Sequence, residues 1–114
     1  MNQGDVWLIT LDPTIGAEIE KTRPCVVVND DNFGKLPLRM VVPITDWKEH
    51  FSVAPWMVRI EPADGNGLSK ESAADCFQLR SISERRFVRR IGKLDESLVE
   101  RIRAALAIVL TIKG

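Results

Sequence analysis

Apolar and polar residues alternate along this chain in short bursts, with one long exception at the C-terminal end. Asp5 to Asp12, DVWLITLD, is β-branched, aromatic and apolar with partial alternation, which predicts a first strand that Pro13 ends because proline cannot donate to a ladder. CVVVND, from Cys25 to Asp30, is a continuous β-branched run suited to burial on both faces. It is entered through Arg23, which Pro24 holds extended, and is closed by the turn chemistry of DDNFGKLP. A third strand is expected from Leu38 to Thr45 (LRMVVPIT), a fourth over PWMVRIEP (55–62), a fifth over CFQLRSIS (76–83) and a sixth over FVRRIGKL (87–94), bent at Gly92. SKESAA (69–74) reads as one helical turn.

Between these bursts lie two long loops. PTIGAEIEKTR joins the first two strands and carries Pro13, Gly16 and four charges, and loops of that length in compact domains are often functional. Asp46 to Ala54 is polar, with Trp47, His50 and Phe51 scattered through it. ADGNG is a turn, since Asp64-Gly65 and Asn66-Gly67 can both reach positive φ.

The exception is DESLVERIRAALAIVLTIKG (95–114), where Leu98, Ile102, Ala105, Leu106 and Val109 fall at helical spacing. Asp95 can cap its first turn, Lys113 suits the dipole in its last, and Gly114 ends it. Ile108, Leu110 and Ile112 make the final turns apolar nearly all round. Such an end is covered either by a two-fold partner in a homodimer or by its own subunit. Several short strands followed by one helix predict a mainly β fold, a small partly open antiparallel barrel with an appended helix, spanning residues 1–114 as one domain.

Composition narrows the function classes. At 45% hydrophobic and 28% charged the chain is an ordinary globular one. No apolar run approaches the roughly 20 residues of a membrane-spanning helix. The start MNQGDVW lacks a signal-peptide layout, so no membrane partner and a cytoplasmic location are expected. Net charge is zero, yet Arg80, Arg85, Arg86, Arg89 and Arg90 make one region locally basic. Cys25 and Cys76 sit in apolar stretches without a CxxC pair and are expected to be structural. His50 is the single histidine, so no metal site and no cofactor are expected, and any catalysis must proceed without zinc or a histidine pair.

Three ordered blocks then carry a resemblance. GDVWLITLDPTIGAEIEKTRPCVVV resembles the start of the MazF/PemK toxins, in which Gly-Asp, Asp-Pro, Gly-x-Glu and Arg-Pro recur in this order; VVPIT and CFQLRSIS are similar to that family's next two blocks. The resemblance runs from about Gly4 to the terminal helix. It implies an SH3-like barrel, a homodimer, metal-independent and sequence-specific cleavage of single-stranded messenger RNA, and a MazE-like antitoxin, with operator DNA engaged only through the antitoxin complex. It implies that Arg23 lies at the scissile phosphate, that Thr45 is the threonine ending the third strand, that Glu18 is the carboxylate of the loop over the active site, and that Gln78 and Ser81 line the RNA groove.

Arg80, Trp47 and Thr22 are added as candidate RNA contacts. Thr22 stands where some members carry histidine, so the base and the target sequence are not carried over. Trp47, His50 and Phe51 could stack on splayed bases or simply close the barrel's end. Trp7 and Trp56, within strands, are expected in the core.

The chemistry favours Arg23 as a charge stabiliser rather than a base, because a guanidinium forks onto two phosphate oxygens and does not lose its proton near neutral pH. Thr45 can donate a hydroxyl hydrogen bond to the developing phosphorane, and Glu18 is the nearest carboxylate by motif for proton transfer. Attack by the substrate's own 2′-hydroxyl would give a 2′,3′-cyclic phosphate and a 5′-hydroxyl. Arg23 as a strand-edge charge, Thr45 as plain β-propensity and Glu18 as a solvated carboxylate remain the structural alternatives. The rival function is a non-catalytic CcdB-like toxin that binds DNA gyrase through its terminal helix, followed by a plain RNA-binding module.

Overall fold

In the computed structural model, which describes residues 1–113, the chain runs β1 (Asp5–Thr10), β2 (Thr22–Val27), β3 (Leu38–Asp46), β4 (Met57–Ile60), β5 (Ser72–Asp75), β6 (Arg80–Ser83), β7 (Phe87–Lys93) and α1 (Glu96–Leu110). All pairings are antiparallel, in the order β4-β5-β3-β2-β1-β7, with β6 added to β3 off that path. The nine-residue β3 makes this possible. It is long enough for Leu38–Val41 to pair with β6 and for Ile44–Asp46 to pair with β5, while Val41–Pro43 pairs with β2.

Closure comes from a turn rather than a ladder. β7 ends the sheet, and Lys93 N donates to Gly65 O at 2.8 Å. Here two backbones touch: a Cβ on Gly92 would stand 2.3 Å from the Asn66 carbonyl carbon, and one on Gly67, itself at φ +75°, 2.3 Å from Ile91 O. Only glycine permits that approach. Buried Asn66 rivets the turn by donating to Glu61 O and accepting from Leu68 N, each at 3.0 Å. The bend expected at Gly92 is therefore the seam of the barrel.

Two apolar clusters lie on opposite faces of the central strands. Val26 joins Val6, Val42, Ile44 and Val58 under Val99, Ile102 and Ala105 of α1, while its neighbours Cys25 and Val27 join Ile9, Leu11, Val41 and Ile82. β2 is thus buried on both sides, as its continuous run predicts. Both cysteines are buried and free, and burial pushes each thiol up to about 12, so they pack as small apolar groups.

Several sequence expectations are corrected. Seven strands form, not six, because 69–74 makes no helical turn: Ser72–Asp75 is a strand, all four residues buried between β3 and β4. Position between two neighbours overrides the weak strand preference of Ala and Asp. CFQLRSIS is not one strand; Cys76–Gln78 forms a 3-10 turn, with the Asp75 side chain accepting from Phe77 N at 3.1 Å, and β6 begins only at Arg80. β2 starts at Thr22, ahead of the expected Cys25, because the extended Arg23 already pairs with Ile9. Trp56 is not core: it precedes β4, is 37% exposed and meets Phe77 edge to face at 5.8 Å. Trp7 is half-buried against Phe87.

The helix has its expected cap, Leu98 N donating to Asp95 Oδ1 at 2.9 Å, and these cap bonds hold the Asp95 carboxyl below its usual range. It ends at Leu110, earlier than expected, where Thr111 turns left-handed (φ 55°) and its N–H closes on Ala107 O and Ile108 O. Lys113 lies beyond the last turn, and Gly114 lies outside the described residues. Ile108, Leu110 and Ile112 are exposed at 60%, 54% and 63%, so the chain's own core does not cover them.

Candidate functional site

The fold places two of the expected residues together. The β2–β3 ladder ends at the Cys25–Pro43 pair, and Arg23 and Thr45 each lie two residues beyond it. Both line a cleft of about 280 Å³, together with Lys70 and Ser72 at the entry to β5 and Arg89 of β7. Arg23 is held by the β1–β2 ladder, opposite Ile9, and Thr45 by the β3–β5 ladder, opposite Ala73. Arg23 Nε donates to Glu20 O at 3.3 Å, which anchors the guanidinium from its inner edge. Among the described residues neither Arg23 nor Arg89 forms an ion pair, whereas Lys70 is paired with Asp46 at 3.1 Å. Three cations against one paired carboxylate make the cleft attractive to a phosphodiester, and a guanidinium with free outer N–H groups can fork onto two of its oxygens.

Glu18 does not line this cleft. It borders a second one, of about 480 Å³, with Ile15, Ala17, Phe77, Gln78, Leu79 and Arg80. Its carboxylate is exposed and accepts from Ile15 N at 2.9 Å, within its own loop. The carboxylate on the Arg23 cleft is Asp46, a residue the sequence reading passed over.

Gln78 is committed to the protein: its Oε1 accepts from Ile19 N at 2.6 Å and its Nε2 donates to Asp75 Oδ2 at 3.0 Å. Arg80 Nη1 donates to Leu11 O at 3.4 Å. Ser81 is exposed on β6 opposite Met40, and Thr22 is exposed with its hydroxyl 3.4 Å from that of Thr10; neither lines a cleft with Arg23. Trp47 holds Arg59 5.0 Å above its ring, donates from Nε1 to Glu49 at 3.3 Å and meets Phe51 edge to face, with His50 packed on Phe51 in turn. Arg59 is held there by Glu71, whose hydrogen bond is the main reason the guanidinium's pKa is raised.

The basic run divides into separate tasks. Arg86 donates to Thr10 O and Asp12 O and clamps the end of β1, Arg90 lies 3.4 Å from the buried Asp5, Arg80 faces the larger cleft and Arg89 faces the smaller one. Sequence reasoning singled out Arg80 and missed Arg89, Lys70 and Asp46. Arg89 pairs with Leu8 across a β1–β7 ladder broken by two register shifts, so counting alternate residues along β7 could not assign its side.

A family model described as the PemK-like, MazF-like toxin of type II toxin-antitoxin systems matches residues 2–110. This chain belongs to that family. Among its relatives, the endoribonuclease PemK of Escherichia coli is 31% identical over 113 residues, covering 97% of this chain and 83% of that protein. The endoribonuclease MazF9 of Mycobacterium tuberculosis is 31% identical over 118 residues, covering 98% of each. Among solved structures, MazF of Deinococcus radiodurans superposes with a TM-score of 0.82 at 21% identity, over 98% of this chain and 97% of that one. An endoribonuclease solved with its cognate antitoxin from a Mycobacterial species gives 0.78 at 16% identity, over 100% and 98%. At such identities these structures establish the fold: the β barrel with a C-terminal helix expected from the sequence is that of the MazF toxins. No helix among the described residues is long and apolar enough to cross a membrane.

Proposed function

We propose that this protein, an endoribonuclease of the MazF/PemK type, cuts single-stranded RNA in the cleft between β2 and β3 without a metal ion, using the substrate's own 2′-hydroxyl. The observation that carries this reading is the meeting of Arg23 and Thr45 on one basic cleft. In this reaction O2′ attacks phosphorus in line as its proton passes to solvent water, the P–O5′ bond breaks, and the departing O5′ takes a proton from water, leaving a 2′,3′-cyclic phosphate and a 5′-hydroxyl. Arg23 forks onto the non-bridging oxygens, where negative charge grows. Thr45 donates to the phosphorane or to the departing O5′, a contact of the kind that contributes about 2.7 to 4 kcal/mol when preorganised. Arg89 and Lys70 hold the neighbouring phosphates.

Glu18 has no part in the proton transfers, since it borders the other cleft and is bonded to Ile15 N. Metal independence is carried by the family resemblance, and the EDTA experiment below tests it. A gyrase-binding toxin would have no use for an arginine and a hydroxyl converging on one cleft. A MazE-like antitoxin and a homodimer joined through Ile108, Leu110 and Ile112 complete the proposal; the antitoxin is supported by the neighbouring complexes and the dimer by the exposed helix end.

The test is incubation of the purified protein with a long unstructured RNA in EDTA, followed by mapping of the ends. Cyclic phosphate and 5′-hydroxyl ends are expected, and cutting restored only by added metal, or 5′-phosphate products, would overturn the mechanism.

A further inference from the structure

The loop between β1 and β2 ends against Arg23, and one side chain from a distant segment holds it. Gln78 Oε1 accepts from Ile19 N at 2.6 Å while Gln78 Nε2 donates to Asp75 Oδ2 at 3.0 Å. The amide cannot be turned round: the reverse orientation would set oxygen against the Asp75 carboxylate and NH2 against the Ile19 N–H. Asp75 is itself fixed, being 6% exposed and accepting from Phe77 N at 3.1 Å through its other oxygen. The next residue of the loop after Ile19 is Glu20, whose carbonyl accepts from Arg23 Nε. A continuous hydrogen-bonded line therefore runs from a buried carboxylate, through Gln78 and two residues of backbone, to the guanidinium in the cleft.

We propose that Gln78, oriented by Asp75, is a positioning residue for Arg23. By fixing the backbone at Ile19 it fixes the Glu20 carbonyl, which takes the Nε–H of Arg23 and leaves the outer N–H groups aimed at phosphate. The role assigns Gln78 to the loop and not to the RNA, and it rests on the reading of Arg23 given above. Small displacements of such a group are costly, because a shift of about 1 Å in a reacting geometry lowers rates on the order of 100-fold.

The test exchanges the polarity of the pair. Gln78→Leu removes both bonds, and Gln78→Glu keeps an acceptor for Ile19 N but sets two carboxylates face to face. In the double variant Asp75→Asn with Gln78→Glu, the asparagine keeps an oxygen for Phe77 N and offers its NH2 to the glutamate, so the line is rebuilt in reverse. Turnover and KM on an RNA with a mapped cut, together with hydrogen exchange at the Ile19 amide, are measured for all three.

Turnover is expected to fall by roughly 10-fold or more in both single variants, with KM within about twofold and Ile19 exchanging faster, and to recover with Ile19 protection in the double variant. Unchanged Ile19 exchange in Gln78→Leu, a loss confined to KM, or a double variant that regains protection but not turnover would overturn the proposal, the last two by placing Gln78 on the RNA. Ile19 exchange reads the latch even if Arg23 proves dispensable, so a failure of the Arg23 assignment is distinguishable from a failure of the latch.

Discussion

The cleft at Arg23 and the cleft at Glu18 are built in opposite ways. The smaller is framed mainly by strands: Arg23 comes from β2, Thr45 from β3 and Arg89 from β7, with Lys70 added by the loop before β5, and its charge balance is positive. The larger is framed by a loop and a 3-10 turn, it carries exposed Ile15 and Phe77, and its polar members Glu18, Gln78 and Arg80 each hold a backbone group. The proposed chemistry, which needs a fixed geometry, falls in the cleft built mainly from strands. In the proposed account the loop cleft supplies the support, through the Gln78 hydrogen bond to Ile19 N.

The largest effect that would separate the clefts is expected from Arg23→Ala. Turnover should fall by about 1,000-fold or more, while binding of an uncleavable strand, spread over many phosphate contacts, falls far less. Thr45→Val removes one hydroxyl at constant shape and should cost roughly 100-fold in kcat, read in single-turnover assays. Equal losses in binding and in turnover for either variant would make the cleft a binding surface only. Arg89→Gln should raise KM several-fold with little change in kcat, and should lower the salt dependence of binding by about one unit of slope. The smallest effect is expected from Glu18→Gln, which keeps the acceptor for Ile15 N; turnover and its pH profile should stay within about threefold of the parent. A large loss there would return the carboxylate to the reacting centre.

Much of the fold was legible in the chain because its strands are buried on recognisable faces. The unbroken run Cys25–Val27 reports a strand with a core on each side, and the Asp95 cap reports the helix start. What was not legible depends on pairing. Ser72–Asp75 is made of small and polar residues and becomes a strand only because β3 and β4 flank it. Gly92 announced a bend, but that it meets Gly65 and Asn66 to close the barrel depends on a turn distant in the sequence.

The site divides along the same line. Arg23 and Thr45 were singled out through their motifs, and the fold brings both to one basic cleft. Glu18 was placed by the motif as well, yet its loop turns it to the neighbouring cleft. Arg89 and Lys70 belong to no motif, and the register shifts in β7 hid the first of them.

The central claim is that the Arg23–Thr45 cleft stabilises charge at phosphorus. Arg23→Lys tests it most directly, since lysine keeps the positive charge but loses the paired fork. Turnover of a mapped RNA and binding of the same strand carrying a 2′-deoxy residue at the cut are measured side by side. The account predicts a fall in turnover of about 100-fold or more with binding within a few-fold of the parent. Near-normal turnover, or cleavage of the deoxy strand at the same bond, would contradict it.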